Sequence, residues 1–450
     1  MKINSLHIDT NKGYADKLRL CFWLYLFFII FEGAFRKWIL PELSSLFLVI
    51  RDPIAIYVLF IGIYHKKLTN GFGIFFLVIS YFSFITSLMW GHQNFIVALY
   101  GARVYALHIP ILFIWSNILT REDLLQIGKW ILRLSVLMCI IIGLQYLTPQ
   151  SSWINRGIGG DTEGSGFSGV GDYFRPSGTF SFVTGMIGFE FLVASYLFFY
   201  WQSNTTLSKK QKIPSQNLYV YLLIFLISIF FCLSRSVIAS TAIVFFTTIL
   251  SSFLAQTKTY KTVTLIVLLS LLFITLYSFI PFFQLAVDNM FLRFDAASNS
   301  EGNFIKGSIG ERYGGAFLRA FTDTQNFTGK EIPFWGFGMG TGSKVGSTLL
   351  GLSFLNSFGV AEEEWSLVIC EYGYLIGGIL LLVGRTFFPI YYTIKATKIL
   401  IYKKDFLPFI FTPFFVISFL TYQLSVPTLL GFTTIAGSLF LTAIKTSKKL

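Results

Sequence analysis

The sequence predicts an all-α fold: a polytopic integral membrane protein with about twelve transmembrane helices and one long extramembrane loop. Composition and the spacing of apolar runs carry that reading. Hydrophobic residues make up 54% of the 450 residues and charged residues 13%, whereas a soluble domain carries roughly 25% charged residues. Mean hydropathy is +0.67. The apolar residues gather in runs near the roughly 20 residues that a helix needs to cross the hydrocarbon of a bilayer. Aromatic residues reach 18%, with 52 Phe, which suits lipid-facing helices and interfacial belts. Disordered, collagen-like and disulfide-rich secreted classes are excluded.

The first run, 18–35, follows a mostly polar segment ending at Lys17 and closes on Phe31-Glu32-Gly33-Ala34-Phe35-Arg36-Lys37. It lacks a small-residue cleavage site and reads as a retained signal anchor. Runs at 44–64, 71–90, 96–119 and 126–147 complete helices 1–5 within residues 1–147. Residues 148–178 are too polar to span. Runs at 179–201, 217–233, 237–255 and 263–283 give helices 6–9 within 179–283. Residues 284–363 form the long loop, and runs at 365–394, 406–424 and 427–443 give helices 10–12 within 364–450. Loops longer than about 15 residues are commonly functional, so the chemistry is expected on the face that carries both loops. No internal repeat is visible, which counts against a transporter built from repeats.

Basic residues fix the orientation. With the N-terminus inside, Lys66-Lys67, Lys209-Lys210, Lys403-Lys404 and Lys448-Lys449 all fall on the inner face. The short outer segments hold Arg36, Lys37, Arg156, Arg175 and Arg235. The positive-inside rule then puts both termini in the cytoplasm and both long loops outside. Topology thus accounts for the net charge of +13, and membrane lipids rather than nucleic acid are the expected partners. Cys21, Cys139, Cys232 and Cys370 each lie in an apolar run, with no metal spacing or disulfide framework. His7, His65, His92 and His108 form no metal motif, so neither a cofactor nor a protein-bound catalytic metal is expected.

Outer basic residues break the inside trend. Arg175 lies in Phe174-Arg175-Pro176-Ser177-Gly178-Thr179-Phe180 at the mouth of the sixth span, and Arg235 in Leu233-Ser234-Arg235-Ser236 between the seventh and eighth. An interfacial Arg can snorkel to lipid headgroups. Two guanidinium forks beside one polar loop also match the oxygens of a lipid-anchored diphosphate. Arg103, within the fourth span, either faces a polar cavity or pairs with Glu32, Asp52 or Glu190. Arg51-Asp52-Pro53 is expected to pair locally and to shape a kink. Glu362-Glu363-Glu364 stand at the mouth of the tenth span, either as a solvated helix start or with Glu362 as a general base. Glu371, about two turns further in, needs a specific partner. Gly336-Phe337-Gly338-Met339-Gly340-Thr341-Gly342 lacks the βαβ context of a dinucleotide loop; a flexible turn is the expectation, a backbone anion nest the alternative.

The motifs Arg175-Pro176-Ser177-Gly178-Thr179-Phe180, Leu233-Ser234-Arg235-Ser236, Ile309-Gly310-Glu311-Arg312-Tyr313, Gly336-Phe337-Gly338-Met339-Gly340 and Glu371-Tyr372-Gly373 occur in this order. In them the chain resembles the O-antigen ligase and polymerase superfamily of bacterial envelope glycosyltransferases. The resemblance implies a periplasmic site in the bacterial inner membrane. There an undecaprenyl-diphosphate-linked glycan donor passes its glycan, without a metal ion, to a glycan or lipid-linked acceptor. It also implies that Arg175 and Arg235 hold the diphosphate, with Arg312 nearby, and that Arg103 and Glu371 serve substrate binding. Where the family often carries a His, nine residues before the Glu of its Glu-x-Gly motif, this chain has Glu362. The competing readings are a transporter or lipid flippase whose outer arginines capture an anionic substrate, and a non-catalytic scaffold.

Overall fold

Each of the twelve apolar runs is helical in the computed structural model, which describes residues 3–162, 168–170, 173–256, 260–301, 320, 332–351 and 364–447. The chain is an all-α, multi-pass membrane protein. Among the described residues, nine helices are long and apolar enough to cross a membrane; a bent pair, Glu364–Gly377 with Leu380–Lys403, makes up to ten. Ser215–Phe231 and Phe406–Thr421 are shorter apolar helices.

In chain order the helices are α1 (Ile3–Ala34), α2 (Ser44–Phe47), α3 (Asp52–Tyr64), α4 (Gly71–Met89), α5 (Phe95–Ala102) and α6 (Ile109–Ile118). Then come α7 (Arg121–Leu147), α8 (Val183–Ser203), α9 (Ser215–Phe231), α10 (Arg235–Leu254), α11 (Tyr260–Phe279) and α12 (Pro281–Glu301). The last five are α13 (Lys344–Leu350), α14 (Glu364–Tyr372), α15 (Phe388–Lys403), α16 (Phe406–Thr421) and α17 (Pro427–Ser447). Side chains with oxygen acceptors start several of them. Asn94 accepts from the Ile96 and Val97 amides at the head of α5, and Thr120 and Asp123 form a capping box on α7. The one sheet among the described residues is a short antiparallel ribbon, β1 (Ser168–Val170) with β2 (Tyr173–Phe174), pairing Ser168 with Phe174.

Helices α8 and α17 form the centre, each with 89% of its most apolar window buried. The buried hydroxyls of α17 are satisfied locally: Thr433, Thr434, Ser438 and Thr442 each donate to the carbonyl four residues back. Small residues bring helices together, as where Gly188 of α8 meets the ring of Phe432. At the periphery, Phe246, Phe253, Leu271 and Phe279 stand exposed, a surface suited to lipid.

The sequence expectations need correction at several places. The run 44–64 is not one straight helix: α2 ends at Phe47, and α3 restarts at Asp52 with Pro53 in its first turn. Arg51 and Asp52 do not pair with each other; Arg51 meets Glu32 at 3.3 Å, while Asp52 meets His108 and Arg103. The expected span at 365–394 bends by 105° between two π-helical stretches, Gly373–Gly377 and Leu380–Phe387. The segment 284–363, read as loop, opens with helix α12. Arg36 and Lys37, read as outer loop cations, are buried in a π-helical turn that prolongs α1.

Candidate functional site

Two polar centres emerge. The first gathers arginines. Lys37 donates to Ser177 Oγ at 3.0 Å and to the Gly178 carbonyl at 2.8 Å. Gln145 closes the other side, accepting from the Gly178 amide at 2.7 Å. Gly178 sits at φ +59°, and a Cβ there would strike the Met138 sulfur. Gly33 of α1 lies backbone to backbone against Phe180 and Ser181. The turn that follows Arg175 is therefore fixed from two helices.

Arg235 begins α10 after the N-cap Ser234, which follows Leu233 at φ +46°. Asn289 of α12 donates to Tyr146 Oη at 2.9 Å, and Tyr146 stacks on Tyr173 of β2 at 4.9 Å. These contacts tie α12 to the ribbon that leads into Arg175. Arg293, one turn along α12, donates to the Leu233 carbonyl at 2.5 Å. Burial, and then the charges of Arg175 and Arg235, push Arg293 down to about 10. Burial and Arg235 lower Arg175 as well. The structure thus brings Arg175 and Arg235 together and adds Arg293. Close guanidinium groups of one sign make a seat for a polyanion.

The second centre is a small, partly open cavity lined by Arg103, Tyr105, Ser343, Glu364 and Glu371, among others. Arg103 opens a π-helical stretch of the fourth span, Arg103–His108, and such bulges recur at functional sites. Its Nη2 lies 3.3 Å from Asp52 Oδ1. His108 Nε2 approaches the same oxygen at 2.9 Å, and its Nδ1 lies 2.7 Å from Tyr25 Oη. With the proton on Nε2, the imidazole donates to Asp52 and accepts from Tyr25. Of the two readings of Arg103, the structure satisfies both at once: it is paired and it lines a cavity. Its partner is Asp52. Glu190 instead accepts from Ser228, and Glu32 lies between Arg36 and Arg51.

The glycine-rich segment walls this cavity, and it is a packed turn rather than a flexible one. Gly336, Gly338 and Gly340 all take positive φ, and a Cβ on Gly101 of α5 would fall 2.4 Å from the Gly340 nitrogen. Phe337 donates to the Cys370 carbonyl and Met339 to Ser87 Oγ. The Gly342 amide donates to Glu371 Oε1 at 2.8 Å. The loop therefore does bind a carboxyl group, the chain's own Glu371, and supplies the specific partner that residue required.

Glu362 and Arg312 lie outside the described residues. Glu364 is not part of a solvated helix start: it is buried and pairs with Arg385, which also donates to the Phe419 and Tyr422 carbonyls at 2.7 Å. Sequence reasoning passed over Arg385 and Arg293. The rule that singled out Arg103, a charge within an apolar run, applies equally to Leu382-Val383-Gly384-Arg385 and to Phe291-Leu292-Arg293-Phe294. No protein-family model, curated protein or solved structure matches the chain.

Proposed function

We propose that this chain is a metal-independent membrane glycosyltransferase acting on an undecaprenyl-diphosphate-linked oligosaccharide at the periplasmic face of the bacterial inner membrane, in the manner of the O-antigen ligases and polymerases it resembles. In this reading the nine long helices, the bent pair and the two shorter helices cross the bilayer twelve times, with both termini cytoplasmic and residues 284–363 periplasmic. The observation that carries the proposal is the proximity of Arg175, Arg235 and Arg293. In transfer, the acceptor hydroxyl oxygen bonds to the anomeric carbon while the bond from that carbon to the diphosphate oxygen breaks. The leaving diphosphate gains negative charge, which fixed guanidinium groups stabilise. The acceptor proton passes to a base, for which Glu362 is the candidate, with Arg312 as a further cation for the diphosphate.

The test gives purified protein, in buffer containing EDTA, a lipid-linked oligosaccharide with an acceptor glycan and measures undecaprenyl diphosphate. Release that depends on both Arg175 and Arg235 supports the reading. Movement of intact donor across a vesicle bilayer without release would replace it with the flippase reading.

A further inference from the structure

Helix α7 turns one stripe outward. Trp130, Leu137, Ile140, Leu144 and Leu147 recur at helical spacing and are 45% to 56% exposed, the pattern of a face laid against lipid. Arg133 sits within that stripe and is exposed too. Its guanidinium lies 5.2 Å from the ring of Trp130, one turn back. Lys129, beside it, donates to the Lys210 carbonyl at 2.7 Å. The segment with exposed Lys209, Lys210 and Lys212 therefore lies over this end of the stripe. Acids are distant. Neither that segment nor α9 and α17, which pack on α7, holds an Asp or Glu. Glu190, the one acid of α8, is buried and accepts from Ser228. Along α7 itself, Asp123 pairs with Arg19, and Glu122 is about 16 Å from Arg133 along the axis.

We propose that Lys129, Trp130 and Arg133 form a binding site for one anionic phospholipid in the leaflet at this end of α7. Hydrocarbon about 30 Å thick takes roughly 20 residues of helix. Counted back from Leu147, which still faces lipid, Arg133 lies about 21 Å in, so its Cα is about 9 Å inside the opposite boundary. A guanidinium there reaches out to the headgroups along its apolar stem, and phosphate is the anion that a bilayer offers at that level. The fork matches two oxygens of the phosphate, Lys129 adds a second positive charge, and the indole of Trp130 steadies the guanidinium by its face. The lipid is anionic because two cations stand here with no acid beside them, whereas the phosphate of a zwitterionic lipid is already balanced by its own ammonium. The site is separate from the arginine seat: Tyr146, which ties α12 to the ribbon before Arg175, lies at the other end of α7. Failure of glycosyl transfer would leave the lipid site standing, and failure of lipid binding would leave the arginine cluster untouched.

The test is native mass spectrometry of the full chain in detergent, equilibrated with equal amounts of phosphatidylglycerol and phosphatidylcholine carrying the same acyl chains. The readout is the ratio of the two lipids retained, and phosphatidylglycerol is expected to dominate. Arg133→Gln is expected to lower that preference about fivefold, the effect of one basic residue beside an anionic membrane. Arg133→Lys keeps the charge and is expected to recover most of the preference. Lys398→Gln removes an exposed cation from α15 instead and is expected to leave the ratio unchanged. Both positions are exposed, so these replacements spare the core. Equal retention of the two lipids, an unchanged ratio in Arg133→Gln, or an equal loss in Lys398→Gln would each overturn the site. Displacement of the retained lipid by an equal concentration of glycerol phosphate would show a site for a free headgroup, and would overturn the lipid assignment as well.

Discussion

Burial, and then the neighbouring charges of Arg175 and Arg235, lower the affinity of Arg293 for its proton. In the proposed function these three guanidinium groups face the diphosphate together. The geometry of the fork then matters as much as the charge, since a guanidinium grips two oxygens of a phosphate where an ammonium acts as a point charge. Arg235→Lys is therefore expected to insert normally in the membrane but to lose turnover by about 10²–10³-fold, as removal of one stabilising donor does elsewhere. Arg175→Ala is expected to behave alike, and wild-type undecaprenyl diphosphate release by either variant would remove the diphosphate seat. In the proposed mechanism Glu362 is the base. Glu362→Gln keeps the size of the side chain but cannot take the proton, so turnover is expected to fall by about 10²–10⁴-fold with donor binding unchanged. Glu363→Gln serves as the neighbouring control, and equal, near-normal rates in both would leave the base unassigned.

The elements that frame the cavity are held by unusual backbone, not by helix propensity. Gly373 closes α14 at φ +73°, and a Cβ there would fall 2.2 Å from the Phe334 carbonyl and 2.6 Å from the Gly336 nitrogen. Gly373→Ala is expected to lower stability by about 1–3 kcal/mol from the left-handed conformation, and by more from the clash, seen as a lower unfolding temperature in micelles. The same glycine segment is pinned from the other side by His92, in the turn between α4 and α5. Its Nδ1 accepts from the Asn94 amide at 2.9 Å, so the proton sits on Nε2, which donates to the Met339 carbonyl at 3.1 Å. Burial lowers the proton affinity of His92 below its ordinary value. The unfolded chain then binds the proton first as pH falls, so this contribution to stability is full above about pH 6.5 and is lost as pH drops toward the depressed folded value. Proteolysis within 332–351 is expected to accelerate at pH 5 relative to pH 7.5. In His92→Ala it is expected to be fast at both, and a wild-type rate independent of pH would refute the pin.

At the scale of the whole molecule, the apolar runs made the helices readable, because crossing a bilayer demands about 20 apolar residues whatever packs around them. The breaks were not readable. A hydropathy window averages across Gly373 and across the Phe47–Asp52 interruption, while the bend depends on a positive φ and on a loop that is distant in sequence. Arg175 and Arg235 stood out because they oppose the inside bias of basic residues. The pairs Arg385 with Glu364 and Arg51 with Glu32 stayed hidden, since each partner is chosen by tertiary packing across 21 and 19 positions. Orientation rests wholly on that inside bias, and the proposed function depends on it, because a lipid-linked donor presented at the periplasmic face must meet Arg175 and Arg235 there. The bias can be tested in one experiment. In a background with Cys21, Cys139, Cys232 and Cys370 replaced, a single cysteine at Lys344, which is exposed at the head of α13, is expected to react with an impermeant maleimide added to intact spheroplasts. A cysteine at Lys210, exposed in the segment between α8 and α9, is expected to react only after lysis, and a cysteine at Gly302 should follow Lys344. If Lys210 labels from outside and Lys344 does not, the arginines face the cytoplasm and the periplasmic reaction falls with the topology.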